Sequence, residues 1–202
     1  KKNSSLNRSA NAFLAMLRWA RENDKISICP LIQKKVKKLP ESDSIEVIRY
    51  LSPDERARLL AALNEREKPG EPDYLKTIVL VALNTGIRRS ALLKLRWDDV
   101  SSETRTIRLR RETAKGDKQA HIPMNDTVCK LLSEWKSFKK ITGQKSEFLF
   151  IGPTGNPMHD VRSSWKKTLR DAGIENFRWH DLRHDFASQL VMAGASILTV
   201  KE

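Results

Sequence analysis

Apolar residues recur along most of the chain at the three- and four-residue spacing of amphipathic helices. The run YLKTIVLVALN, residues 74–84, is apolar on nearly every side and predicts a buried central helix with Asp73 as its N-cap. Ser52 and Glu55 have the types and spacing of a capping box, which predicts the start of the preceding helix. Further helices are expected over residues 6–22, from near Arg88, from a cap at Asp126, around Trp165 and across residues 178–190.

The helical period gives way to alternation in RTIRLRR, residues 105–111. Here the apolar Ile107 and Leu109 alternate with arginines, which is the pattern of a half-buried strand. A second short strand, QAHIPM at 119–124, follows a Gly-Asp turn, so the pair predicts a hairpin with Lys115 at its tip. The run EFLFIG is compatible with one more strand fragment. The expected fold class is therefore mainly α with a small antiparallel β-sheet.

The charge balance narrows the classes of partner. The chain has 38 Lys and Arg against 25 Asp and Glu, a net charge of +13, which favours a polyanionic partner such as nucleic acid. The longest apolar run, residues 78–83, is too short to span a membrane, and the first residues lack the apolar segment of a signal peptide. Cys29 and Cys129 form no metal-binding spacing. These features predict a cytoplasmic, nucleoid-associated protein without a membrane partner.

The stretch RWHDLRHDFASQL, residues 178–190, carries the densest group of candidate chemistry. Its helical spacing places His180, Arg183 and His184 on one face. The expected core-facing stripe on the other side consists of Leu182, Phe186 and Leu190. Such a face suits a metal site, a phosphate site or a solvated polar surface.

The metal hypothesis rests on the i, i+4 spacing of His180 and His184, which matches zinc-binding helices. However, Asp181 stands where that signature needs glutamate, and Arg183 would bring a cation next to the metal. The phosphate hypothesis gains from Arg88, which follows a Thr-Gly turn at the end of the buried helix. Two arginines, a histidine and the hairpin lysine suit the transfer of a phosphodiester without a metal.

Three ordered motifs carry a family resemblance: NTGIRRSALLKLRWDDV, TAKGDKQAHIPM and HDLRHDFASQLVMAGASILTVKE. In order and spacing they resemble the tyrosine recombinase (phage integrase) family. The similarity extends from Leu51 to the end and, more loosely, over residues 7–30. It implies a remnant of a helical core-binding domain at 1–32, a linker at 33–50 and a recombinase-like catalytic domain at 51–202.

The resemblance also assigns roles to residues. Arg88 is implied to be the first catalytic arginine, and Lys115 the lysine that protonates the leaving 5′-hydroxyl. His180 and Arg183 form the His-x-x-Arg pair. Arg89 and His184 are candidates for structural or DNA-backbone contacts. The implied chemistry needs no cofactor and no metal.

The implied function is that of a site-specific DNA recombinase, or integrase, which cuts and rejoins DNA through a 3′-phosphotyrosyl intermediate. Its expected partners are double-stranded DNA with a specific site and other recombinase protomers in a tetrameric synapse. Two alternatives come from other classes. One is a DNA-binding regulator that cleaves nothing, and the other is a metal-dependent phosphohydrolase that uses His180, His184 and Asp185.

The chain departs from the family pattern at three places. Ala91 replaces an acidic residue that supports the first arginine, and Asp185 stands where threonine is common. The family pattern continues with a Leu-Leu-Gly-His segment and the nucleophilic tyrosine, whereas this sequence stops at Glu202. Tyr50 and Tyr74 precede the first arginine motif and match no family tyrosine. We therefore expect a fragment whose nucleophile lies beyond Glu202 and which forms no covalent DNA intermediate by itself.

Overall fold

The computed structural model describes residues 3–33, 36–40, 49–113, 119–152 and 154–196. The expected hairpin tip with its lysine lies outside these residues, as does the end of the third motif.

The chain divides into two compact units, Lys1–Val47 and Ile48–Glu202. The first unit contains the long helix α1, Asn3–Glu22, and the single turn α2, Pro30–Gln33. The buried side chain of Asn7 donates to the carbonyl oxygen of Leu39 and accepts from its backbone N–H, both at 2.9 Å. This pair of hydrogen bonds holds the segment 36–40 along α1. The expected domain limits at 32 and 50 stay a prediction.

The second unit combines six helices with one small sheet in the part of the chain that the structure describes. The helices are α3 Pro53–Asn64, α4 Tyr74–Thr85, α5 Arg89–Leu92, α6 Asp126–Ile141, α7 Arg162–Asp171 and α8 Asp181–Met192. The strands are β1 Val100–Ser101, β2 Thr106–Leu109 and β3 Ala120–Pro123. The expected fold class, mainly α with a small antiparallel sheet, is confirmed.

The sheet has the order β1-β2-β3, and both pairs of strands are antiparallel. Ile107 pairs with Ile122, and Arg108 with His121, so the two strands predicted for the hairpin are paired. The two-residue strand β1 was not expected from the sequence. The run EFLFIG forms isolated bridges, in which Phe148 pairs with Arg96 and Ile151 with Pro157, rather than a strand.

Helix α4 is the centre of the second unit, as its apolar sequence predicts. Eight of its 12 residues are buried, and it packs against α6 and α8. Asp73 caps it by accepting from the backbone N–H of Lys76 at 2.9 Å. The predicted cap of α6 is wrong by one residue. Asn125 accepts from the backbone N–H of Val128 at 3.0 Å, and Asp126 is the first helical residue.

Helix α8 corrects the expected division between core and polar faces. Leu182 is buried, but Phe186 and Leu190 are only half-buried. The other buried side chains of the helix belong to Asp181 and Asp185, which are both fully enclosed. Buried carboxylates are tolerated only with strong partners, and both residues have arginine and backbone partners.

Candidate active site

The end of α4 forms one side of the site. The helix stops at Gly86, which adopts the left-handed conformation with φ of 63° and donates its N–H to Ala82 at 2.9 Å. A Cβ atom at Gly86 would lie 2.6 Å from Cδ1 of Phe186 on α8. Only glycine therefore lets the end of α4 approach α8 this closely. Two residues later, Arg88 emerges from the buried core as the N-cap residue of α5.

The first turns of α8 form the opposite side. Nη1 of Arg183 donates to the carbonyl oxygen of Gly86 at 2.6 Å, across 97 residues of sequence. Burial and the nearby charge of Arg88 both lower the pKa of Arg183. A guanidinium nevertheless stays protonated in proteins. The fold thus brings two arginine cations together where α4 ends and α8 begins.

His180 is the N-cap residue of α8 and contacts the second histidine of the motif. The ring centroids of His180 and His184 are 4.9 Å apart, and the rings are perpendicular. Desolvation by the surrounding protein lowers the pKa of His180, and the electrostatic influence of the neighbouring His184 and Arg183 lowers it further. The imidazole is therefore mainly neutral at pH 7, the form that can accept a proton.

An open pocket of about 570 Å³ lies beside these residues. Its cationic lining consists of Arg88, Arg89, Arg162, Lys166 and Arg178, together with His180. Aromatic rings from Trp165, Phe177 and Trp179 form its apolar part, and the two indoles meet edge to face at 5.3 Å. This pocket offers guanidinium donors to an anionic group and flat apolar surface beside them.

Comparison with known proteins identifies the family of the chain. Residues 49–202 match the sequence model of the phage integrase family. The chain belongs to the phage integrase family. It is 33% identical over 202 residues to the integrase of Salmonella phage P22, covering 93% of this chain and 47% of that protein. It is also 32% identical over 133 residues to tyrosine recombinase XerD of Corynebacterium glutamicum, covering 63% and 42%. The chain spans about half the length of these curated relatives.

Solved structures of integrases share the fold. The catalytic domain of bacteriophage HP1 integrase is 26% identical, with a TM-score of 0.56 over 77% of this chain and 79% of that one. The Tn1549 transposon integrase, in complex with a circular intermediate DNA, is 20% identical. It reaches a TM-score of 0.71 and covers 98% of this chain and 70% of its own length.

In this integrase-family chain Arg89, one of the two secondary candidates, has a protein partner. Nη1 of Arg89 lies 3.6 Å from the carboxylate of Asp160, which also pairs with Arg162. The side chain of Ala91, at the position that is usually acidic in the family, is buried at the start of α5. The lysine expected at the hairpin tip, Lys115, lies outside the described residues.

One residue pair at the candidate site was missed in the sequence. Asp181 is buried and accepts from the backbone N–H of Arg178 at 2.6 Å and from its Nη2 at 2.8 Å. Burial alone would raise the pKa of Asp181, but the hydrogen bonds and charge of Arg178 outweigh it and lower the pKa. An aspartate three residues after an arginine, at the start of a helix, is the signal that could have predicted this pair.

The carboxylate of Asp185, which the phosphohydrolase hypothesis assigns to a metal site, binds other groups of the protein. Asp185 accepts from the backbone N–H of Leu51 and from the guanidinium of Arg56. It is therefore engaged by groups that repel a cation. Within the described residues, no group of three or more His, Cys, Asp or Glu side chains could hold a metal ion. Among the described residues, no helix is long and apolar enough to cross a membrane.

Proposed function

We propose that this chain contains the catalytic part of a site-specific DNA recombinase that cuts and rejoins DNA through a 3′-phosphotyrosyl intermediate. The observation that carries the proposal is the contact between Arg183 and the carbonyl of Gly86, which brings Arg183 to the neighbourhood of Arg88. One guanidinium group can donate two parallel hydrogen bonds to the non-bridging oxygens of a phosphate. Two such groups stabilise the negative charge that develops in the pentacoordinate transition state.

The remaining groups handle protons. A tyrosine oxygen attacks the scissile phosphorus, the bond to the 5′-oxygen breaks, and the DNA stays linked through its 3′-phosphate. Neutral His180 accepts the tyrosine proton, and Lys115 donates a proton to the departing 5′-oxygen. The 5′-hydroxyl of a second strand reverses these steps, so the bond energy is conserved without a cofactor or a metal.

Neither tyrosine of this chain suits the role of nucleophile. Tyr74 begins α4, whereas Arg88 follows the end of that helix, and a 12-residue helix is about 18 Å long. The Tyr74 hydroxyl is also hydrogen bonded to Ser164 at 2.7 Å. Tyr50 precedes α3 and matches no family motif. We place the nucleophile beyond Glu202, as the family pattern implies.

The proposed partners are double-stranded DNA with a specific site and further protomers in a tetrameric synapse. The net charge of +13 supports binding to a polyanion. In this scheme residues 1–32 belong to a core-binding domain and residues 51–202 to the catalytic domain. Arg89 and His184 are proposed to contact the DNA backbone or to support other residues that contact it.

The test uses the full-length protein and a duplex site selected by binding from random sequences. A nick beside the scissile phosphate traps the covalent adduct, which is scored on a denaturing gel. We expect an adduct with the unmodified protein and at least a hundredfold slower formation in Arg88→Ala and Arg183→Ala. Arg96→Ala is the matched control, because that arginine pairs with Glu147 outside the pocket. DNA binding with neither cleavage nor adduct would favour the regulator, and cleavage that needs a divalent ion and leaves no adduct would favour the phosphohydrolase.

A further inference from the structure

The residue that breaks the family pattern in α8 has a specific structural partner. We infer that Asp185 is a positioning residue, which fixes the rotation of α8 and thereby the places of Arg183 and His180. The inference rests on the proposed function, since those two residues matter only if they act on a phosphate.

Asp185 is fully buried, and both carboxylate oxygens are engaged. Oδ1 accepts from the backbone N–H of Leu51 at 2.9 Å, and Oδ2 accepts from Nη2 of Arg56. The partners are 134 and 129 residues away in sequence. A buried carboxylate without its partners is strongly unfavourable. The helix can therefore turn or shift only by breaking these contacts.

The residues that hold Asp185 are themselves fixed. The side chain of Ser52 caps α3 by accepting from the N–H of Glu55 at 3.1 Å, and Glu55 accepts in return from the N–H of Ser52 at 2.9 Å. Glu55 also forms an ion pair with Arg49. Leu51 precedes this cap, and its side chain is buried. Asp185 thus binds to a rigid start of α3.

The contacts of Asp185 and Arg183 hold opposite sides of one helix. Two residues along an α-helix are about 160° apart around its axis. Arg183 is fixed on one side by the carbonyl of Gly86, and Asp185 on the other by Leu51 and Arg56. A rotation of about 10° moves an atom 6 Å from the axis by about 1 Å. Misplacement of that size can slow catalysis about a hundredfold.

Asp185 stands where threonine is common in the family, and in this chain it pairs with Arg56. A threonine at position 185 could accept the N–H of Leu51 but could not neutralise a guanidinium. Replacing both charges together should therefore be tolerated better than replacing either one. A general loss of folding would not be reversed by a second substitution, so recovery in the double variant is specific to this pair.

Four variants of the full-length protein are compared: Asp185→Asn, Arg56→Met, the double variant Arg56→Met with Asp185→Thr, and the control Arg58→Met. Arg58 lies on the same helix as Arg56, but it donates to the carbonyl oxygens of Ala172 and Gly173, at 2.6 and 2.7 Å. Adduct formation at saturating DNA and DNA affinity are measured separately, at a temperature where thermal denaturation shows each variant folded.

We expect Asp185→Asn and Arg56→Met to slow adduct formation ten- to a hundredfold while changing DNA affinity less than threefold. The double variant should recover to within threefold of the unmodified protein. The control Arg58→Met should lower the stability of the fold, but it should not slow adduct formation while leaving DNA affinity unchanged. If Asp185→Asn does not fold, the double variant decides, because a rate still more than tenfold reduced overturns the inference.

A second readout needs no catalysis. The His180 ring is titrated by NMR in the 202-residue chain, where desolvation lowers its pKa. In Asp185→Asn the pKa should move towards the ordinary value, because a rotated helix changes the surroundings of that ring, and in Arg58→Met it should not. If the unmodified protein forms no adduct, the proposed function fails while this titration still tests the positioning. An unchanged titration together with normal adduct formation in Asp185→Asn overturns the inference.

Discussion

Replacing Gly86 by alanine tests whether the close approach of α4 and α8 requires a glycine at this position. The substitution forces an L-residue into the left-handed conformation, at a cost of about 1–2 kcal/mol. The new Cβ would also lie 2.6 Å from Cδ1 of Phe186, and overpacking of this kind costs about 1–3 kcal/mol. The sum is about 2–5 kcal/mol. In a unit of this size, a loss of about 3 kcal/mol lowers the melting temperature by about 6–12 °C.

Gly70→Ala is the matched control. Gly70 is also left-handed, with φ of 77°, but a Cβ there meets nothing within 4 Å. It should therefore lose only the backbone contribution, and the difference of about 1–3 kcal/mol between the two variants measures the contact with Phe186. Urea denaturation of both variants gives this difference.

Shortening the neighbour provides the confirming experiment. Gly86→Ala should cost less stability in a Phe186→Ala background than in the unmodified chain, because the ring carbon at 2.6 Å is then absent. Equal destabilisation in Gly86→Ala and Gly70→Ala would contradict this prediction, since the contact with Phe186 would then contribute nothing. A variant that stays folded should still form less adduct, because the Gly86 carbonyl binds Arg183.

Three further predictions concern charge. The hydrogen bond from Arg49 lowers the pKa of Glu55 to about 2, so Glu55 stabilises the fold above pH 4.5. The difference in stability between the unmodified chain and Glu55→Gln should shrink as the pH falls towards 2, measured by urea denaturation. The pKa of His180 is lowered, so adduct formation should decline only below the ordinary histidine pKa of about 6.5. DNA affinity should fall steeply with salt, whereas Arg88→Ala should reduce the adduct rate more than affinity.

Helices and strands were predicted well where a single sequence segment determines which face is buried. The apolar run of α4 and the alternation in β2 each specify a buried face without help from elsewhere. The burial of Asp181 and Asp185 could not be predicted in the same way, because hydropathy assigns aspartate to the surface. For Asp185 the deciding partners are more than 125 residues distant, and only the folded chain brings them together.

In the candidate site, too, the residues could be selected from local motifs, whereas their tertiary contacts could not. The family resemblance selected Arg88, His180 and Arg183 by their motifs, and their catalytic roles remain proposals. The contact between Arg183 and Gly86 is tertiary, and no spacing within either motif reveals it. Arg178 was overlooked because it lies two residues before the third motif, although its distance in sequence from Asp181 already suggested a pair.

The double hydrogen bond between Asn7 and Leu39 in the first unit limits which substitutions natural variants can carry. Asparagine is suited to position 7 because its side chain both donates and accepts, whereas aspartate cannot donate and leucine can do neither. At position 39 only the backbone is used, and the leucine side chain is 44% exposed. A library of variants selected for function should therefore keep asparagine at position 7. At position 39 it should admit almost any residue but proline, which lacks the N–H that Asn7 accepts.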